Sequence, residues 1–317
     1  LVLSEYSEDL PGGHGDQCAT VGVWSVEDGV GGVSGLVTDP TQLPDARHLH
    51  VLGVREDGSV IRITIDTTTT TATHTATAVH DSGLMPRGPL RDAEDASLVG
   101  GQLCVWDTGD NRGDRLDGVQ VVCCTIPVLD GEWDDDSCTT QSVRYDDGTP
   151  RDVEAVQVLA NGSAILIGKR SSPPQRWLLP SLSSEVATRL DPLVSIADLG
   201  GSSVHPYAAQ PTSVCDGDGA ILTYGALHTE RWGSFSLPLT DRISYEGCTR
   251  LPGNRYLLVG DASAGDPTPL LLVACGVDAG AAPPVLDYRA PHAERRTIRR
   301  RRRDHRHALQ QQVEVSE

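Results

Sequence analysis

The sequence is poor in lysine, phenylalanine and methionine, with one of each: Lys169, Phe235 and Met85. Asparagine occurs three times and aromatic residues make up only 4% of the 317 positions. The depleted residues have AT-rich codons, which points to a GC-rich genome; adaptation to high salt would give the same acidic, lysine-poor balance. Basic charge is also scarce, with Lys+Arg 26 against Asp+Glu 44 and a formal net charge of −18. That excludes a nucleic-acid-binding body, which needs a basic footprint. It also favours a soluble chain that repels anionic partners. Long apolar runs are missing: the longest is Leu270 to Cys275, far short of the ~20 residues of a membrane helix. No Gly-x-Ser-x-Gly nucleophile elbow is present. No Cys-x-x-Cys occurs and no histidine stands at zinc-ligand spacing from a cysteine.

Cysteine itself is not lacking. Cys18, Cys104, Cys123, Cys124, Cys138, Cys215, Cys248 and Cys275 make an even set. The chain opens on Leu1 without a signal-peptide pattern, as a processed, mature chain would. Together these favour disulfides and secretion, with buried free thiols as the alternative. Cys123 and Cys124 are adjacent, so on a strand they face opposite ways and pair with different partners. A hairpin bridge from Cys104 to Cys123 or Cys124 is geometrically attractive. Asn161-Gly162-Ser163 is a glycosylation sequon that fits the same compartment.

Helical periodicity is nearly absent. Short apolar runs such as Ser59–Ile65, Gln102–Trp106, Val119–Cys123 and Arg255–Val259 alternate with Gly, Asp and Asn turns. This is the pattern of an all-β domain. Repeats narrow the choice. Arg91-Asp92-Ala93-Glu94-Asp95-Ala96 is echoed by Arg151-Asp152-Val153-Glu154-Ala155-Val156, and Tyr245-Glu246-Gly247-Cys248 is a third copy. Two weaker copies lacking the Glu begin at Ser34-Gly35 and Pro211-Thr212. The unit of strand, turn, strand, loop and strand is a β-propeller blade. Starts near 34, 93, 153, 212 and 246 give five or six blades, six slightly favoured. An N-terminal strand around 1–6 or 19–26 completes or adds a blade and closes the ring. The propeller domain spans 1–293.

Two segments fall outside the repeat. Residues 67–78 are nearly all Thr and Ala, an outer-edge strand or an exposed loop. Residues 294–317 hold eight Arg against four acids. This Arg-rich tail reads as a solvated tail or as a segment that docks on an acidic surface.

The stretch Asp92-Ala93-Glu94-Asp95-Ala96, followed by Leu103-Cys104-Val105-Trp106-Asp107-Thr108-Gly109-Asp110-Asn111, resembles a blade of secreted bacterial β-propellers of the esterase-like/phytase-like group. Tyr145-Asp146-Asp147-Gly148 and Arg151–Ala155 continue the likeness, which runs over about 34–275. The resemblance implies a secreted propeller with acidic residues around its channel, and calcium in some members. The chain departs from the group at Leu52–Arg55, where the group often carries a polar stretch.

Glu94, Glu154 and Glu246 stand at equivalent repeat positions and so at equal radius. Three close carboxylates cannot all stay ionised without a cation or basic partner. Ca2+ is the natural metal, with Asp92, Asp95, Asp107, Asp110 and Asn111 as further ligands. The alternative is that each Glu accepts backbone hydrogen bonds or pairs with Arg91 or Arg151. The acidic Asp107–Asp114 run lacks a Glu at position 118, so a tight turn explains it nearly as well as a calcium loop. The sequence therefore reads first as an extracellular binding or structural module, with protein or glycan partners in an assembly. Second, it reads as a calcium-dependent phosphoesterase-like hydrolase.

Overall fold

The computed structural model describes residues 18–26, 32–41, 48–67, 74–81, 90–116, 118–127, 135–171, 173–192, 210–215, 219–229, 231–237, 244–261 and 268–276. The chain divides into residues 1–283 and 284–317. The described residues all belong to the first unit, and the Arg-rich tail lies outside them.

The chain enters the fold on β1 (Cys18–Val26). Four strands follow: β2 (Val33–Thr38), β3 (His48–Arg55), β4 (Val60–Asp66) and β5 (His74–Asp81). They pair in antiparallel succession as the first blade. The second blade is β6 (Asp95–Val99), β7 (Gln102–Asp107), β8 (Val119–Thr125) and β9 (Cys138–Tyr145). The third is β10 (Val153–Val158), β11 (Ala164–Gly168), β12 (Arg176–Leu179) and β13 (Val186–Leu190). The fourth is β14 (Pro211–Val214), β15 (Ile221–Thr223), β16 (Ala226–Thr229) and β17 (Gly233–Ser236). The fifth has β18 (Ser244–Leu251), β19 (Arg255–Asp261) and β20 (Thr268–Cys275). Its fourth strand is β1, antiparallel to β20.

The protein is thus a β-propeller, with five four-stranded units among the described residues where the sequence slightly favoured six. β1 covers the β20 edge that the last repeat leaves open, and the other N-terminal strand expected, around residues 1–6, lies outside the described residues. β1 also pairs in parallel with β5, and β13 with β9, so outer strands of neighbouring blades join. The second half of the Thr/Ala-rich segment is β5, an outer strand as expected.

Five hydrophobic clusters fill the spaces between successive blades. Leu257 and Leu270 meet Val51 and Ile63 between the fifth blade and the first. Leu52 and Val54 meet Leu103 and Val105 between the first and second. Trp106 and Val121 meet Leu166 and Trp177 between the second and third. Ala155 and Ile167 meet Val214 between the third and fourth, and Leu222 and Leu227 meet Leu258 and Val273 between the fourth and fifth. The two-residue period of a strand explains the near-continuous apolar runs, because alternate side chains serve opposite neighbours. On β7, Leu103 and Val105 face the first blade while Cys104 and Trp106 face the third.

Four disulfides add to this packing: Cys18–Cys275, Cys104–Cys123, Cys124–Cys138 and Cys215–Cys248. Cys123 and Cys124 do face opposite ways and bridge to the strands on either side of β8. Cys18–Cys275 ties the closing strand to its partner, and Cys215–Cys248 joins the fourth and fifth blades. Among the described residues no helix is long and apolar enough to cross a membrane.

Candidate functional site: a carboxylate mouth of the channel

The innermost strands β2, β6, β10, β14 and β18 line the axis. Gly35 permits their convergence, because a Cβ there would lie 2.7 Å from the Ala96 nitrogen. Near its start each inner strand sets two residues against one on its neighbour. The extra residue is Ser34 in β2, Glu154 in β10, Thr212 in β14 and Glu246 in β18. In the second blade the Glu94 N–H donates to the Trp106 carbonyl while Asp95 is paired with the same Trp106. Bulges re-aim a side chain out of the regular pleat. The equivalence of Glu94, Glu154 and Glu246 read from the repeats therefore holds in space, and the two weaker copies supply hydroxyls at the same station.

Glu94 and Glu154 are buried, at 6% and 2% exposure, and Glu246 is half-buried. Burial raises the Glu94 pKa well above the usual range, and the charges of Glu154 and Asp92 raise it further. Burial lifts Glu246 to about 8, with Asp261 acting in the same direction, although the Ser244 hydroxyl donates to it at 2.9 Å. Burial also carries Glu154 to about 7, against the pull of Lys169. Lys169 Nζ lies 2.5 Å from Glu154 Oε1 and 5.5 Å from the centroid of the Tyr224 ring. Burial works against its charge, but Glu154 and Tyr224 together raise its pKa and hold the ammonium protonated. Glu56 joins the cluster: burial, then Asp261 and Asp92, raise its pKa.

The remaining candidates are committed elsewhere. Asp92 Oδ2 accepts from Asn111 Nδ2 at 3.2 Å. A Cβ on Gly109 would overlap Glu94 Oε1 and Asp92 Oδ2, so this loop sits directly over the two acids. Asp107 is buried and gripped by Arg115 at 2.6 Å, by Gln120 Nε2 at 2.7 Å and by the amides of Arg91 and Asp92. Asp110 accepts from the Asp114 and Arg115 amides, and its own amide donates to Asp152 Oδ1 at 2.9 Å. The Asp107–Arg115 loop is therefore the tight, self-satisfied turn of the two readings, clamped on the third blade. Arg91 pairs with Asp114 and Arg151 with Asp147, so neither expected arginine serves a glutamate. The cation at the glutamates is Lys169, which the repeats do not single out. Its place next to Gly168, opposite Val153, becomes visible only with the strand register.

Among the described residues, no three His, Cys, Asp or Glu side chains meet at the spacing a metal ion requires. The positive charge at Glu154 comes from the chain itself. Asp95, one step along β6, is fully buried beneath the mouth. Beyond it, at the far ends of β6, β10 and β14, lies a cavity of about 460 Å3 lined by Leu98, Val156, Gln157 and Val214 among others. Asn161 is exposed in the β10–β11 turn, where its Oδ1 accepts from the Ser163 amide and hydroxyl.

No protein-family model and no curated protein sequence matches the chain. The structure is similar to a PQQ-bound aldose sugar dehydrogenase from Streptomyces coelicolor, at 11% identity over 81% of this chain and 98% of that one, with a TM-score of 0.43. It is also similar to the WD40 β-propeller domain of Doa1, at 9% identity over 81% and 97% of the two chains, with a TM-score of 0.36. For a GH43_1 enzyme from Xanthomonas citri complexed with xylose, the values are 11%, 87%, 97% and 0.37. Likenesses of this degree carry no functional argument. The propeller part of the resemblance read from the sequence stands, while no match supports the esterase-like/phytase-like group.

Proposed function

We propose that this chain is an extracellular binding module whose ligand site is the carboxylate mouth of the propeller channel. One observation carries the reading: glutamates from three blades stand at one end of the ring, act electrostatically on one another, and have a single cation, Lys169, among them. Four disulfides and the exposed Asn161 sequon favour an oxidising, extracellular setting. Residues 294–317 supply a basic segment for an acidic partner in an assembly. A calcium-dependent phosphoesterase would hold metal and activate water at the same carboxylates, but it would have to displace Lys169 from Glu154. Phosphomonoesters and phytate, each with added calcium, separate the two readings, together with melting curves in calcium and in chelator. The binding module shows no turnover and one melting temperature. Calcium-dependent turnover with a chelator-sensitive melt would overturn it.

A further inference from the structure

We infer that the mouth takes an organic cation, a primary ammonium or a guanidinium group, with Glu94 as its acceptor and the Tyr224 ring as its wall. The inference rests on the binding-module reading and names the ligand chemistry of the same site. The first support is that an ammonium already sits there. Lys169 Nζ has a carboxylate oxygen at 2.5 Å and an aromatic centroid at 5.5 Å. A carboxylate beside a ring face is the chemistry that recognises such a cation.

The second support is Glu94. The residue is 6% exposed, and among the described residues no side chain or amide donates to its carboxyl. Its fellow acids are provided for: Glu154 has Lys169, Glu246 has Ser244, Asp92 has Asn111 and Asp261 has the Gly32 amide. A carboxyl that meets solvent at the mouth and has no donor from the protein is free to accept an incoming N–H group. The third support is charge. Glu56, Asp92, Glu154 and Glu246 act electrostatically on one another or on Glu94, with Lys169 as the one cation acting on them in common. Such a field repels phosphate and attracts cations. Calcium needs about 6–8 oxygens within ~2.6 Å, which dispersed acceptors do not supply, whereas the N–H groups of an ammonium or guanidinium can each reach a separate oxygen.

Isothermal titration of the full chain with agmatine, and in parallel with an N-acetylated peptide containing Lys and Arg, tests the inference. Calcium chloride and phenyl phosphate serve as the contrasting probes. Saturable binding of agmatine, of the peptide or of both is expected, and which of them binds tells a free small molecule from a peptide side chain. Affinity should fall at least tenfold in Glu94→Gln and in Tyr224→Leu, each checked for a native circular dichroism spectrum. It should fall with added salt and stay unchanged in Asp147→Asn, an acid engaged with Arg151. The inference is overturned by absence of saturable binding for both cationic probes, by wild-type affinity in both mouth variants, or by calcium competing one for one. Lack of cation binding without phosphoesterase turnover sinks this inference alone, while calcium-dependent turnover sinks the reading beneath it.

Discussion

Asp95 shows how one residue can hold several blades. Its two oxygens accept from the Ala96 amide at 2.9 Å, the Val156 amide at 2.8 Å, the Ser213 hydroxyl at 3.1 Å and the Val214 amide at 3.3 Å. Those donors come from the second, third and fourth blades. Burial pushes the carboxyl up to about 8, and the same four donors pull it back. Asp95→Ala would leave buried N–H groups on two other blades without an acceptor, at ~1–3 kcal/mol for each group left unpaired. A loss of about 3 kcal/mol is expected, measured as a lower urea midpoint. A change under about 0.5 kcal/mol would show that the residue does not join the blades.

At the scale of elements, closure depends on β1. Cys18–Cys275 spans 257 positions, whereas Cys104–Cys123 spans 19 inside one hairpin. Chain entropy gives the longer loop the larger effect, typically ~2–4 kcal/mol for a native bridge. Cys18→Ala with Cys275→Ala is expected to lower the thermal midpoint more than Cys104→Ala with Cys123→Ala. Equal midpoints would contradict the closing role of β1.

The elements also show what could be read from the sequence. The three Glu repeats gave equivalent positions because a repeat encodes position within a blade, while the bulges at Glu154 and Glu246 became visible only with the strand register. Ser34 and Thr212 stood out as the copies without Glu for the same reason. The opposed facing of Cys123 and Cys124 followed from the strand period alone. Three other features needed the ring closed in space: Cys18 beside Cys275, Cys215 beside Cys248, and Lys169 against Glu154. The blade number stayed open between five and six because a closing strand and the first strand of a new blade have the same local pattern. For Asp107 and Asp110 the sequence leaves two readings open, because a turn that satisfies its own amides and a metal loop use the same residue types.

For the whole molecule, the buried acids govern the response to pH. Glu154 lies at about 7, Asp95 and Glu246 at about 8, and Glu94 well above its usual range. In the unfolded chain such groups titrate near ~4. From pH ~4 to ~8 the folded state therefore holds protons that the unfolded chain has released, and stability falls as pH rises. Asp57, Asp107 and Asp147 shift the other way, and their contribution is lost only in acid below ~4. The net charge of −18 adds self-repulsion at high pH. Melting temperature should be higher at pH 5 than at pH 8; a steady rise towards pH 8 would contradict this. The most direct measurement is carbon NMR of protein labelled at the glutamate side-chain carboxyls, titrated from pH 3 to 10 in wild type and in Lys169→Met. The Glu154 and Glu246 resonances should titrate near pH 7 and 8 and the Glu94 resonance well above the ordinary glutamate range, with the Glu154 resonance moving higher when the ammonium is removed. If every glutamate titrates near its ordinary value and Lys169→Met moves none of them, the carboxylates do not converge at the axis of the ring.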